Sequence, residues 1–211
     1  MTVNSRRQPK QSRSKATVDA IITATTQVLT QDGYAGLTTN RVAEVAGVSI
    51  GSLYQYFNGK ESLVQAVIER HADSMLALLK TTLADSVGTS VPQAVRSFVR
   101  AMLDAHSLDP RLHRVCVEQA FHLGLEHILH IRGTAQELVE FYLQEHQEAI
   151  LPKDLKLTAS LLVTTVDANI HSAMLSPTPP DMGALGDEVI AMVLRYLGIL
   201  DDSEAEGPAL P

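Results

Sequence analysis

The sequence predicts an all-α protein with a short basic amino-terminal part and a longer helical remainder. Three observations carry this expectation. Apolar residues recur three and four positions apart along most of the 211 residues, the spacing of one helical face. The hydrophobic content, 45% of the chain, is mainly aliphatic, with aromatics at only 4%, and it lacks the apolar–polar alternation of half-buried strands. Gly, Pro, Ser, Thr and Asp stand at the breaks between periodic stretches, where helices start and stop.

Residues 1–14 are polar, contain Pro9 and have no periodicity, so they are expected to be disordered. From Thr17 onward, Val18, Ile21, Ile22, Val28 and Leu29 form a helical stripe that stops at Asp32-Gly33, glycine suiting the left-handed residue that closes a helix. Thr38 or Thr39 caps a second helix carrying Val42, Val45 and Ala46, which breaks at Gly47. Ser49 caps a short third helix through Phe57. Asn58, with Glu61 three residues later, forms an Asn-led capping box and opens a long fourth helix. That helix buries Leu63, Val67, Met75, Leu78 and Leu79 and fades near Gly88.

Pro92 suits the first turn of a fifth helix bearing Val95, Phe98, Val99 and Met102. Asp109-Pro110 starts a sixth helix through about Phe121, and a seventh covers roughly 126–149, with Gly133 a weak point and Pro152 its end. The stretch 154–175 is apolar on two sides, with Leu155, Ala159, Leu162, Val166, Ile170 and Ala173 on one and Leu161, Ala168 and Leu175 on the other. Beyond the SPTPPD loop, residues 182–199 carry Val189, Ile190, Val193, Leu194 and Leu197. A helix apolar on two sides needs a second burial surface; a dimer seam and a simple buried core helix both satisfy that pattern. The ending DDSEAEGPALP is acidic and expected to be a disordered tail over 201–211.

The formal charge of −7 argues against general affinity for nucleic acid, but it hides an asymmetry. Residues 1–60 hold seven Lys/Arg against three acids, a charge of +4, and the rest carries −11. A basic end on an acidic body lets that end meet phosphate while the remainder is repelled; a solvated basic tail fits the same charges. Cys116 is the single cysteine and cannot form an internal disulfide, which fits a reducing compartment. The opening MTVNSRRQPKQSRSK has no apolar core for a secretory signal, and no apolar run reaches the roughly 18 residues that span a bilayer. The expected location is the cytoplasm, with no membrane partner.

Enzyme chemistry lacks its parts. The chain has no G-x-S-x-G elbow, H-E-x-x-H pair, Gly-rich phosphate loop or dinucleotide fingerprint, so neither catalysis nor a cofactor is expected. Histidines are frequent after residue 100, at 106, 113, 122, 127, 130, 146 and 171. His113 with Cys116 and His127 with His130 share helical faces, but neither forms the dense grouping of a structural metal site, and no metal is expected. Asp167 and His171 lie one turn apart in an otherwise apolar helix, where a buried acid needs a partner; they pair with each other or face a pocket or seam.

The stretch VAEVAGVSIGSLYQYFNGKESL carries the chemistry. Ala46-Gly47-Val48-Ser49 is a four-residue turn between the second and third helices, the layout of a helix-turn-helix whose second helix lies in a DNA major groove. Gly51 and Ser52 keep the front of that helix slim. Tyr54 and Tyr56 supply hydroxyls for phosphate oxygens, although the Tyr54 ring also fits a core position. Gln55 can read adenine through paired donor and acceptor groups. Lys60 stands at the positive end of the fourth helix. Leu53 and Phe57 are expected in the core.

On these residues the chain resembles the tetracycline-repressor (TetR) family of bacterial transcription regulators. The match covers residues 16–63, where the AGVS turn, the LYQYF helix and the KESL start stand together in register. The resemblance implies a basic arm over 1–15, a three-helix DNA-binding domain over 16–63, and a helical ligand-binding and dimerisation domain over 64–200. It implies a homodimer on a near-palindromic double-stranded operator, most simply a repressor, released by a small-molecule effector not identifiable from sequence. Carried over position by position, Thr39, Arg41, Ser49, Gly51, Ser52, Tyr54, Gln55, Tyr56 and Lys60 contact DNA, with Arg13 and Lys15 as the arm. Phe98, Met102, Phe121, Phe141, Asp167 and His171 are the candidates for the effector, although the four apolar ones fit a core role better. A DNA-binding protein without an effector and a helical module for a protein partner are the competing expectations.

Overall fold

The computed structural model describes residues 8–107, 109–123 and 126–199, and their side chains except at 8–12, 121–123 and 126–131. Among the described residues there are helices and no strands. They are α1 (Gln8–Gly36), α2 (Thr39–Ala46), α3 (Ile50–Tyr54), α4 (Lys60–Asp85), α5 (Val91–Ser107), α6 (Pro110–Leu123), α7 (Glu126–Glu145), α8 (Leu155–Leu175) and α9 (Met182–Leu197), with a 3₁₀ turn at Gln147–Ala149. The acidic tail expected over 201–211 lies outside the described residues.

Contacts divide the chain into two compact units, Met1–His71 with Arg111–Leu125, and Ala72–Pro110 with Glu126–Pro211. The first unit keeps α4 as far as His71 because Arg70 reaches Asp19 Oδ1 (2.9 Å) and Thr23 Oγ1 (3.2 Å) on α1, and His71 Nε2 meets His113 Nδ1 on α6 at 2.9 Å. Side-chain bonds across 42 to 51 positions of sequence leave no local periodicity to read.

In the first unit, Ile21, Val28, Leu29, Leu37, Val42, Leu53 and Leu63 are each at most 1% exposed, and α2 packs on both α1 and α3. α1 begins at Gln8, not Thr17. The disordered arm expected there is helical from Gln8: proline is compatible with a first turn, and Gln, Lys, Arg and Ala are good helix formers. The helix breaks where expected, at Gly33, with φ 68° and ψ 178°. Thr38 caps α2, its Oγ1 accepting from Arg41 N at 3.2 Å. Gly47 closes α2 at φ 67°, its N–H reaching back to Ala43 and Glu44 carbonyls. α3 is shorter than expected, ending at Tyr54, so Gln55 and Tyr56 follow it in a turn. α4 starts one residue later than the Asn58–Glu61 pattern implies: the Gly59 N–H is taken by Ser62 Oγ (3.2 Å), which donates back to the Gly59 carbonyl at 2.9 Å.

In the second unit, a core of Val99, Leu103, Leu143, Ala159, Val166, Ile170, Val189, Ile190, Val193, Leu194 and Leu197 joins α5, α7, α8 and α9. Asp154 and Asp181 cap α8 and α9. α7 passes through Gly133 without a break and ends at Glu145, before the 3₁₀ turn. The two-sided pattern of the last helices is resolved within one chain: one side is core, and Leu157, Leu161, Met192 and Tyr196 stay 54%, 45%, 42% and 42% exposed.

Gly47 and Gly133 make opposite predictions under replacement by alanine. A Cβ at either meets nothing within 4 Å, and only Gly47 has a left-handed backbone. Gly47→Ala lowers the unfolding free energy in urea titrations by about 1–2 kcal/mol, whereas Gly133→Ala raises it by about 0.5–1 kcal/mol.

Candidate nucleic-acid interface and apolar cleft

A five-residue helix has too few internal bonds to stand alone. α3 is held at its start by Ser49, whose Oγ accepts from Ser52 N at 3.1 Å and lies 2.8 Å from Ser52 Oγ. It is held from below by Leu53 and Phe57, at 0% and 8% exposure. Burying those two turns the remaining positions outward. Ser49, Gly51, Tyr54, Gln55 and Tyr56 are all exposed, and Ser52 half-buried.

The tyrosine hydroxyls are tethered. Tyr54 Oη lies 3.2 Å from Thr39 Oγ1 at the start of α2, and Tyr56 Oη accepts from Ser14 Oγ at 3.1 Å. With Ser14 donating, the Tyr56 proton remains available to an outside acceptor. The Tyr54 ring, 52% exposed, is not a core ring. At Gly51 a Cβ would meet only Ser49 Oγ, at 3.9 Å, so the fold does not demand glycine there. A helical glycine that packing does not require leaves room on its outer side.

The cations are arranged less simply. Arg13 and Lys15 are exposed on helix α1 and not on a free arm. Arg41 Nη1 is 3.0 Å from Glu44 Oε2, an exposed pair of the kind worth about 0–1 kcal/mol and readily given up to a phosphate. Lys60 Nζ sits 4.0 Å from the centroid of the Tyr34 ring, a cation–π contact that holds the ammonium at the start of α4. Sequence reasoning missed Ser14, Tyr34 and Ile50. The first two act on Tyr56 and Lys60 from far along the chain, whereas Ile50, 39% exposed at the first position of α3, was visible as an apolar residue directly after a cap.

The second unit holds an apolar cleft between the end of α4 and α5, α7, α8 and α9. Its lining includes Leu83, Val95, Phe98, Tyr142, Leu143, Leu162, Val163 and Val166, and its empty space, the part open to solvent included, is about 540 Å³. Of the expected ligand residues whose side chains are described, Phe98 alone lines it. Met102 packs partly buried on the core. Phe141 is 64% exposed: its neighbour Tyr142 takes the inward side of α7, so Phe141 faces water. The Phe121 side chain lies outside the described residues. Asp167 Oδ1 lies 3.2 Å from His171 Nδ1, and Arg132 Nη2 on α7 is 3.2 Å from the other carboxylate oxygen. Burial alone raises the Asp167 pKa, but the His171 hydrogen bond and the charges of His171, Arg132 and His106 outweigh it and hold the carboxyl below its ordinary value of 3.8.

The family model described as bacterial regulatory proteins of the tetR family matches residues 21–67, and the one described as the tetracyclin repressor-like C-terminal domain matches residues 90–197. The chain is 33% identical over 111 residues to the HTH-type transcriptional regulator RutR of Escherichia coli K12, covering 52% of this chain and 51% of that protein. It is 30% identical over 101 residues to the HTH-type transcriptional activator FasR of Mycolicibacterium smegmatis, 48% of this chain and 45% of that one. It thus spans about half the length of these curated relatives. Among solved structures, the fatty acid degradation regulator FadR of Bacillus halodurans superposes with a TM-score of 0.68 at 22% identity, over 87% of this chain and 97% of that chain, a likeness of fold.

The Asp167 arrangement predicts how stability falls in acid. A carboxyl whose pKa is lower in the folded state stabilises it above the unfolded value and loses that contribution as the pH drops through the folded value. Urea midpoints therefore fall as the pH goes below 3.8. Asp167→Asn starts about 1–3 kcal/mol less stable at neutral pH and shows a smaller loss between about pH 5 and pH 2.

Proposed function

The chain belongs to the tetracycline-repressor family of bacterial regulatory proteins, and on that premise we propose that it represses transcription by occupying operator DNA as a homodimer, leaving it when a small molecule fills the apolar cleft. α3 enters the major groove. Ser49, Gly51 and Ser52 bring its first turn close to the base edges, Gln55 reads a base, and Tyr54, Tyr56, Thr39, Arg41 and Lys60 meet phosphates, with Arg13 and Lys15 adding charge from α1. The supporting observation is the exposed polar edge from Ser49 to Tyr56, with two tyrosine hydroxyls steered outward by Thr39 and Ser14 beside a glycine that packing does not require.

The outer faces of α8 and α9 join two copies. Leu157, Leu161, Met192 and Tyr196 give that seam its apolar area, and the two α3 helices of a dimer read half-sites about 34 Å apart, one turn of duplex. The operator is then near-palindromic. Activation has one observation in its favour, since FasR is named an activator; a reporter placed behind the recovered operator separates the two signs.

Selecting bound sequences from a random duplex pool tests this reading directly. Recovery of a near-palindrome, bound with a steep salt dependence, supports it; a pool with no enriched sequence overturns it. On the recovered operator, Tyr54→Phe weakens binding to all sequences alike, by about 0.5–1.5 kcal/mol. Gln55→Ala instead relaxes choice at one base position by about 1–3 kcal/mol. Gly51→Ala separates fold from function. Melting temperature holds or rises, as helix propensity favours alanine by about 1 kcal/mol, while duplex affinity drops about tenfold because a methyl group is pressed into a tight contact.

A further inference from the structure

The cleft in the second unit carries one polar feature. Every other described residue that lines it is aliphatic or phenylalanine, and Tyr142 is the lining residue whose side chain carries a polar atom. That hydroxyl is closed off from solvent and has no hydrogen-bond partner, and burial pushes the phenol pKa up, so it stays protonated as a donor. The Tyr142 ring is stacked on His146, with centroids 4.3 Å apart and planes 24° from parallel, and the His146 ring nitrogen is bonded to the Tyr142 carbonyl at 2.9 Å. The phenol is therefore fixed in place. A buried donor left without an acceptor is costly, and a ligand bringing one relieves that cost. No cation or carboxylate lines the cleft among the described residues, so an ionised ligand group would be desolvated there without a partner.

We infer that the cleft takes a neutral, largely apolar molecule bearing a single hydrogen-bond acceptor, such as a carbonyl or ether oxygen, which accepts from Tyr142 Oη. This rests on the reading of the cleft as the effector site and adds the chemical class of its occupant. It assigns selectivity to Tyr142 and shape to residues such as Phe98 and Val163.

Three probes of similar size separate the possibilities: acetophenone, with one carbonyl acceptor; ethylbenzene, with none; and benzoate, an anion. Each is titrated by calorimetry into the full chain and into Tyr142→Phe, with no DNA present. Acetophenone binding best, ethylbenzene weaker and benzoate weakest supports the inference, provided that Tyr142→Phe loses about fivefold in acetophenone affinity, the size of one neutral hydrogen bond, and keeps its affinity for ethylbenzene. The variant removes only an unpaired oxygen, so its melting temperature stays level or rises, and a lost signal is not a lost fold. Benzoate binding as tightly as acetophenone overturns the neutral class. An unchanged acetophenone affinity in Tyr142→Phe overturns the role of the hydroxyl, and no binding by any probe overturns the site. Release from the recovered operator is measured separately: acetophenone that binds without releasing DNA leaves this inference standing and removes the effector reading instead.

Discussion

Burial of Leu53 and Phe57 beneath a five-residue helix is the constraint on which the amino-terminal unit depends. Such a helix is unstable in isolation, because nucleation consumes most of the order that so few hydrogen bonds repay. Its geometry is imposed from outside, by the left-handed Gly47 that turns the chain, the Ser49 cap that satisfies its first amides and two apolar side chains driven inward. Ser49, Tyr54, Gln55 and Tyr56 are exposed as a consequence, and Ser52 half so. The proposed DNA-reading edge is the face left over once the core has taken its share.

That face is ordered by neutral hydroxyls more than by charge. Thr39 and Ser14 hold the two tyrosine hydroxyls, and Ser49 and Ser52 hold each other. Long cationic side chains would lose more rotamer freedom for the same positioning. The cations present are engaged with a carboxylate at Arg41 and a ring at Lys60, contacts weak enough to exchange for phosphate. An acidic chain can in this way present one end to a polyanion.

The carboxyl-terminal unit solves a different problem. An aliphatic core with few aromatics packs α5, α7, α8 and α9 yet leaves a cleft between them. Its charged groups are kept apart from that space: Asp167, His171 and Arg132 satisfy one another, and the phenol of Tyr142 is the polar atom that remains.

Local chemistry made much of this visible before any coordinates. Helix periods, the glycine breaks at Gly33 and Gly47, the cap at Ser49, the core roles of Leu53 and Phe57 and the helix-turn-helix itself depend on residues a few positions apart, and sequence records such relations directly. Tertiary structure alone decided the rest. It drew Arg70 and His71 to partners on α1 and α6. It started α1 at Gln8, turned Phe141 to water and Tyr142 inward, and gave Asp167 a second partner in Arg132. These outcomes rest on contacts between side chains tens of residues apart, where burial and pairing energies outweigh local preference.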